Sequence, residues 1–411
     1  MKLKQCKQVH WTTKIKTFVI AGFLTSTTFI ISSCEKTTAI VDEENELLDG
    51  PLSTLSPEEN KRFLKGDEAF VEIFTAGTGL GPVFVANQCA SCHAGDGKGT
   101  PFVEFIRFGQ ADTNGNTYLN AGGPQLQHKA IPGHKAESLP LNAPFTRLIA
   151  PAVTGLGFLD AVSDADLISL SDPYDSDGDG ISGRVHWNTI PNYVELRPNS
   201  IAVGNRYITR FGKKGAAYDL LHQTAGAYNQ DMGITSSFEP IDVATGQLIE
   251  PEVSNQTVHD LVFYLKTLKA PLRRNIDDPN VIAGEALFQQ IDCGKCHVSQ
   301  LKTGPSPISS LSYKTFYPYT DLLLHDMGSG LDDGYTEGKA LTSEWKTPAL
   351  WGLGLSKNSQ GGIYYLLHDG RATSIHQAIT LHGGEALNSK NQYIQLSNDE
   401  QNQLIEFLES L

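Results

Sequence analysis

Two short stretches, CASCH at Cys89 to His93 and CGKCH at Cys293 to His297, each set two thiols three apart with an imidazole directly after the second. Three chemistries use such a spacing. Two thiols at this separation can add to the two vinyl groups of one porphyrin, and the adjoining histidine then falls under the iron. A CxxC pair alone makes a redox dithiol. Four cysteines brought together make a structural zinc site. The dithiol needs no histidine and usually sits in a thioredoxin-like βαβ context, of which the sequence shows no sign. The zinc site needs both motifs to converge and leaves each histidine unexplained. Two covalently attached haem c groups, on Cys89, Cys92, His93 and on Cys293, Cys296, His297, use every residue of both motifs.

A haem iron also needs a sixth ligand or an open face. Met327, in HDMGSG, lies 30 residues beyond His297 and is one of only two methionines after the N-terminal segment. It is the candidate for the second motif, with neighbouring His325 as the alternative. The other methionine, Met232, reads as core or pocket wall. No methionine follows the first motif within reach. His128 and His134 are the candidates there, or the face is open. An open iron invites chemistry by nearby polar groups. Gln125, Gln127 and Glu137 lie in the loop after the first motif, and cleavage of a peroxide O–O bond needs a base that carries a proton between the two oxygens. DSDGDGIS, Asp175 to Ser182, has carboxylates at alternate positions and then a glycine. This is calcium-loop spacing, with Asp175, Asp177, Asp179 and the Ile181 carbonyl as ligands. His186 stands where a closing glutamate would be, and the plain alternative is a hydrogen-bonded Asx-turn loop.

The elements that position these residues repeat. Ser56-Pro57-Glu58-Glu59 is a helix start, with serine as N-cap, proline first and glutamate third. GDEAF at Gly66 to Phe70 precedes the first motif, and GEALF at Gly284 to Phe288 precedes the second. Leu261, Tyr264, Leu265 and Leu268 fall on one helical face, as do Leu404, Phe407, Leu408 and Leu411. Ser397 and Glu400 cap the latter helix. Each half therefore reads helix, CxxCH, irregular middle, closing helix, which is the plan of a cytochrome c domain. The fold class expected is mainly α, with two cytochrome-c-like haem domains, 56–272 and 273–411, and long loop insertions in the first. Ala270 to Asn280 is the expected link. Gly- and Pro-rich runs at 120–137 and 172–184 read as loops.

Five lysines precede an apolar run from Phe18 to Ile31, followed by Ile31-Ser32-Ser33-Cys34. A basic start, a short apolar stretch and small residues describe an export signal over 1–33 rather than a membrane span. The last four residues resemble the lipobox of bacterial lipoproteins, which would make Cys34 a lipidated first residue and 34–55 an acidic tether. The expected location is the bacterial cell envelope, lipid-anchored on the outer membrane. Of six cysteines, Cys6 lies in the signal, Cys34 takes the lipid, and the other four are spent on the two motifs. Losing the signal's five lysines and no acids takes the formal charge of the 411-residue chain from −14 to −19. That disfavours nucleic acid, since nothing neutralises phosphates.

YTDLLLHDMG (319–328), EWKTPALWGLG (344–354), LLHDGRATSIHQAITLHGGEA (366–386), DGDGISGR (177–184) and DMGITS (231–236) resemble the bacterial di-haem oxidoreductase family, labelled peroxidase or thiol oxidoreductase and distantly related to di-haem cytochrome c peroxidases. The resemblance covers roughly 60–411. It implies two facing haem domains, one catalytic and one storing electrons, with glutamine and glutamate aiding peroxide at the first. It implies peroxide as oxidant and a small donor protein, a cytochrome or cupredoxin, as partner. The family pattern carries tryptophan after RFG, where this chain has Lys213. The thiol label gains nothing, because no free thiol pair remains. A pure electron carrier, an oxidase of a protein or small substrate, and a role in iron handling are the competing functions.

Overall fold

Ser56-Pro57-Glu58-Glu59 opens a helix by the mechanism its residue types dictate. The Ser56 hydroxyl accepts from Glu59 N at 3.2 Å, and the Glu59 carboxylate accepts from Ser56 N at 2.8 Å. Ser397 and Glu400 form the same reciprocal box at the last helix. A cap of this kind contributes about 1 kcal/mol and fixes where the helix begins.

The computed structural model describes residues 48–103 and 105–411. The expected signal over 1–33, Cys34 and the tether up to residue 47 lie outside the described residues. The helices are α1 (Pro57–Val71), α2 (Leu156–Asp160), α3 (Asp164–Leu170), α4 (Leu220–Met232), α5 (Asn255–Thr267), α6 (Pro279–Gln290), α7 (Ser356–Ser359), α8 (Ile375–Thr380), α9 (Leu387–Gln395) and α10 (Asn398–Ser410). Helix outweighs strand, 33 % to 12 %, so most of the described residues lie in turn and loop. No described helix is long and apolar enough to cross a membrane.

Two helix pairs carry the architecture. α1 crosses α5, and α6 crosses α10. The repeated glycines explain how. A Cβ on Gly66 would stand 2.2 Å from the Asp260 carbonyl oxygen, and one on Gly284 would stand 2.0 Å from that of Gln403. Glycine is required at both because the backbones approach too closely for any side chain. The closing stripes read from the sequence are the faces that meet these glycines. Leu261, Tyr264 and Leu268 are buried in one apolar cluster with Phe63 and Phe70. Leu404, Phe407, Leu408 and Leu411 are buried in a second with Phe288. A third cluster takes Leu159, Val162 and Leu167 from one half and Leu301, Phe316, Leu323 and Trp351 from the other.

Ala270 to Asn280 runs between α5 and α6 largely without regular structure, tied to the chain end by Arg274 N donating to Ser410 O at 2.8 Å. The long middle of the first half holds short antiparallel ladders as well as loops. Phe105–Phe108 pairs with Leu148–Phe145. Lys129 and Ala130, inside the run read as loop, pair with Phe84 and Val83. Two-residue ladders leave no alternation to read, so periodicity misses them. Residues 172–184 carry no helix or strand, as expected.

Gly66→Ala and Gly284→Ala should each destabilise the fold by about 1–3 kcal/mol, because the new methyl has no room. Urea unfolding checks this, and an unchanged midpoint in either variant would remove the close crossing from the account.

Candidate functional site

Both CxxCH stretches wind into one tight turn. His93 N donates to Cys89 O and His297 N to Cys293 O, each at 3.0 Å. The turn places both thiols and the imidazole of a motif together. Each histidine is then fixed by the same bond. His93 Nδ1 donates to Pro151 O at 2.8 Å, and His297 Nδ1 donates to Tyr319 O at 3.0 Å. A carbonyl can only accept, so Nδ1 carries the proton and Nε2 keeps its lone pair. Burial pushes both histidines down to about 4, so both rings are neutral near pH 7. Neutral imidazole with a free Nε2 is the form that binds a metal. The echoed phenylalanines stand beside them, Phe70 at 6.2 Å from His93 and Phe288 at 6.4 Å from His297, centroid to centroid. The repeated glycine and phenylalanine are one device: the first lets the helices cross, the second, one turn on, walls the histidine.

The thiols fit neither competing chemistry. All four are free of disulfides. Burial pushes Cys89, Cys92 and Cys293 up to about 12 and raises Cys296. A redox dithiol works through a thiolate of lowered pKa, the opposite tuning. The four cysteines do not converge either. Among the described residues the one group of histidines, cysteines and carboxylates able to hold a metal ion is Asp175, Asp177 and Asp179.

Around the first motif the surroundings are polar. Gln125 is fully buried, and neither its Nε2 nor its Oε1 has a partner. Gln127 Nε2 donates to Gln230 O at 2.8 Å, while its Oε1 is buried and unpartnered. Glu137 accepts from Gln127 N at 2.8 Å, and burial raises its carboxyl. Gln127 and Glu137 are therefore brought together. Next to them stand residues that sequence reading passed over. Asp231 follows Gln230. Burial, opposed by Arg107, pushes its carboxyl up to about 7, and its charge in turn raises Cys89 and Cys92. Arg107 reaches Gln230 Oε1 at 2.8 Å and Glu337 Oε1 at 2.6 Å. His134 is exposed in its loop and His128 is half-buried. Arg107, Asp231 and Glu337 come from three distant segments, and DMGITS, quoted for its resemblance, held the only local signal.

At the second motif both ring nitrogens of His325 are occupied. Nε2 meets Asp321 Oδ2 at 2.8 Å, Nδ1 meets Glu385 Oε2 at 2.7 Å, and Cys296 Sγ lies 3.6 Å away. The two carboxylates outweigh burial and hold His325 well above its ordinary value. A doubly bonded imidazolium has no lone pair to give a metal. Met327 packs on the small cluster of Leu148, Leu331 and Trp345. His382, which sequence reading did not single out, repeats the pattern of His93 and His297. Its Nδ1 donates to Ala378 O at 2.7 Å, burial lowers it, and its charge is felt at His297. Its one signal is position: it directly follows Leu381, the C-cap of α8, four residues after the carbonyl it uses.

In the acidic loop the Asp175, Asp177 and Asp179 oxygens lie within 4.8 Å of one another. Asp177 Oδ1 accepts from Asp179 N, Asp175 Oδ1 from Gly180 N, and Asp179 Oδ1 from Ile181 N. Lys295, between the second pair of cysteines, bonds Asp179 Oδ2 at 2.9 Å. His186 is buried in a strand with Nδ1 on Lys214 O, away from this set.

A sequence model described as "Di-haem oxidoreductase, putative peroxidase" matches residues 145–411, well over half of the chain, including the second motif. No curated protein matches. Two solved structures are similar at a distance. One is hydrazine synthase of Kuenenia stuttgartiensis, 13 % identical, covering 94 % of this chain and 100 % of its own, with a TM-score of 0.38. The other is a MauG-like protein associated with microbial copper homeostasis, 12 % identical, covering 89 % and 93 %, with a TM-score of 0.39. Likeness at that level carries no weight on activity.

His325 bears on stability through pH. Its folded value is raised, so its contribution is complete below the unfolded value of about 6.5 and is lost as pH rises through the folded value. His325→Gln should therefore lower stability most at mildly acidic pH, with the difference from the parent shrinking in alkali, and His325→Ala should cost about 3–5 kcal/mol at pH 6. Urea titrations across pH check both; a difference that grows with pH would contradict the raised imidazolium.

Proposed function

The chain belongs to the di-haem oxidoreductase family, and from that premise we propose that it is an exported c-type enzyme that reduces peroxide with electrons from a small donor protein. Cys89 and Cys92 would carry one haem with His93 beneath it, and Cys293 and Cys296 the other with His297. The observation that carries this reading is the matched pair of neutral histidines, each with Nδ1 on a backbone carbonyl and Nε2 free. The fit is supported by the fully buried, unpartnered amide of Gln125 and by the phenylalanine wall of each motif. A buried amide costs stability unless something meets it.

When bound, haem iron supplies the redox chemistry, and the protein sets access, ligands and proton supply. Peroxide needs two electrons and two protons to leave as two waters. The donor brings the electrons. Near the first motif, Asp231 is poised to hold or release a proton at neutral pH, and Arg107 sets its charge. Gln127 binds Glu137 through its backbone N–H and keeps its own amide oxygen for a second partner. Gln125 orients what enters. At the second motif, His382 lies near enough for its charge to act on His297, and its Nδ1 is engaged on Ala378 O, which supports a closed centre suited to storing an electron. Met327 is the competing ligand. The Cys34 lipobox supports lipid attachment in the cell envelope, and the acidic loop supports calcium at Asp175, Asp177 and Asp179.

The reading is tested by adding peroxide to the matured, half-reduced protein and recording optical and EPR spectra. A high-spin haem that shifts is expected. Two low-spin haems indifferent to peroxide would favour an electron carrier. His382→Ala should open the second haem, while Met327→Ala leaves its spectrum unchanged; the reverse result would restore Met327. Asp231→Asn should lower peroxide turnover about 100-fold, within the range for losing a proton-transfer group, and unchanged turnover would take Asp231 out of the mechanism.

A further inference from the structure

Lys213 and Lys346 meet through their backbones, and the Lys98 charge acts on Lys213, where nothing acidic is reserved for the three. Lys98 lies five residues after His93, with its carbonyl accepting from Ser359 Oγ at 2.9 Å. Lys213 lies in the turn closed by Ala217 N donating to Phe211 O. Lys346 ends the short strand Glu344–Lys346, and its N donates to Lys213 O at 3.1 Å. All three are half-buried. Each feels burial, and Lys213 feels both of the others: it is pushed down to about 7, and Lys98 and Lys346 to about 8. Among the described residues none of the three ammonium groups has a hydrogen bond or an ion pair.

The acids that face them are engaged elsewhere. Asp369, the carboxylate acting on Lys213, accepts from Arg371 Nε at 2.6 Å. Asp321, acting on Lys346, holds His325 at 2.8 Å. The next residue gives the contrast. Lys214 is buried to 1 % exposure, but its Nζ donates to the carbonyls of Leu341, Thr342 and Glu344 at 3.1, 2.8 and 2.7 Å, and it lies over the Trp345 ring. There the protein satisfies a buried lysine completely. In a chain of net charge −14, three crowded lysines without an acid are an unbalanced arrangement. Clustered, half-desolvated cations of one sign repel unless an anion joins them. The cluster also adjoins the first motif, since the Lys213 charge acts on His93.

We propose that Lys98, Lys213 and Lys346 form an anion site for the propionate carboxylates of the haem carried at Cys89 and Cys92. This rests on the haem reading above. Two carboxylates against three ammonium groups offset two of the three charges and bring the partner that the fold itself withholds. The site also gives a role to the position where the family pattern carries tryptophan: Lys213 contributes charge there instead of an aromatic ring. Each lysine is a positioning residue that acts on the iron through the propionates.

The test is a redox titration of the matured protein, preceded by a pyridine haemochrome assay for covalent haem. Removing a cation beside the propionates favours the oxidised iron. Lys213→Gln should therefore lower the midpoint potential of the peroxide-responsive haem, leave the other unmoved and leave the haem content at two. Lys213→Arg should keep the parent value. Lys98→Gln and Lys346→Gln should shift the same haem in the same direction. Unmoved potentials in all three Gln variants, with both haems present, would overturn the lysine site alone. A potential in the parent protein that moves with inorganic phosphate at constant ionic strength would reassign the site to an anion from solution and overturn the propionate assignment. A chain without covalent haem would overturn the functional reading and this site with it.

Discussion

One hydrogen bond, made twice, is what the rest of the structure serves. A histidine in a flexible turn titrates near neutrality and exchanges its two tautomers. A histidine whose Nδ1–H is held by a backbone carbonyl while its ring is desolvated does neither. Pro151 O and Tyr319 O perform this for His93 and His297. Both acceptors lie in irregular segments far along the chain, so the fold must bring each loop back over its motif. The crossing helix pairs give the rigid base against which that return is made, and the phenylalanine one turn after each crossing glycine keeps the ring desolvated.

The two centres share this plan and differ in what surrounds it. The first is lined by amides and charges from separate segments, with a carboxyl near neutrality and buried amide atoms still unpartnered. The second is ringed by histidines. One is locked between two carboxylates beside Cys296, and another stands near His297 with Nε2 free. Under the proposed function these surroundings would suit different tasks, taking up a small molecule at the first motif and holding an electron at the second.

Much of this was legible in the sequence where the cause is local. The serine caps at Ser56 and Ser397 and the closing faces at Leu261 and Leu404 depend on neighbours within a few residues, and each appears as read. The echo of GDEAF and GEALF was visible, but its reason was not, because the atoms that exclude a Cβ belong to α5 and α10. That Gln127 and Glu137 lie together was legible because they share a loop. Asp231, Arg107 and Glu337 were not, since only the tertiary fold joins them. His325 was weighed as a ligand because it adjoins Met327; the carboxylates that disqualify it lie at Asp321 and Glu385. His186 occupied the right place in the calcium spacing, but the strand it belongs to turns it toward Lys214 O.

The most direct measurement is the intact mass of the mature protein isolated from cells that make cytochrome c. The account predicts a chain heavier than its polypeptide by two haem groups beyond any lipid at Cys34, with the haem mass mapping to the peptides of Cys89–His93 and Cys293–His297. A chain at its bare polypeptide mass, with four free thiols, would contradict it.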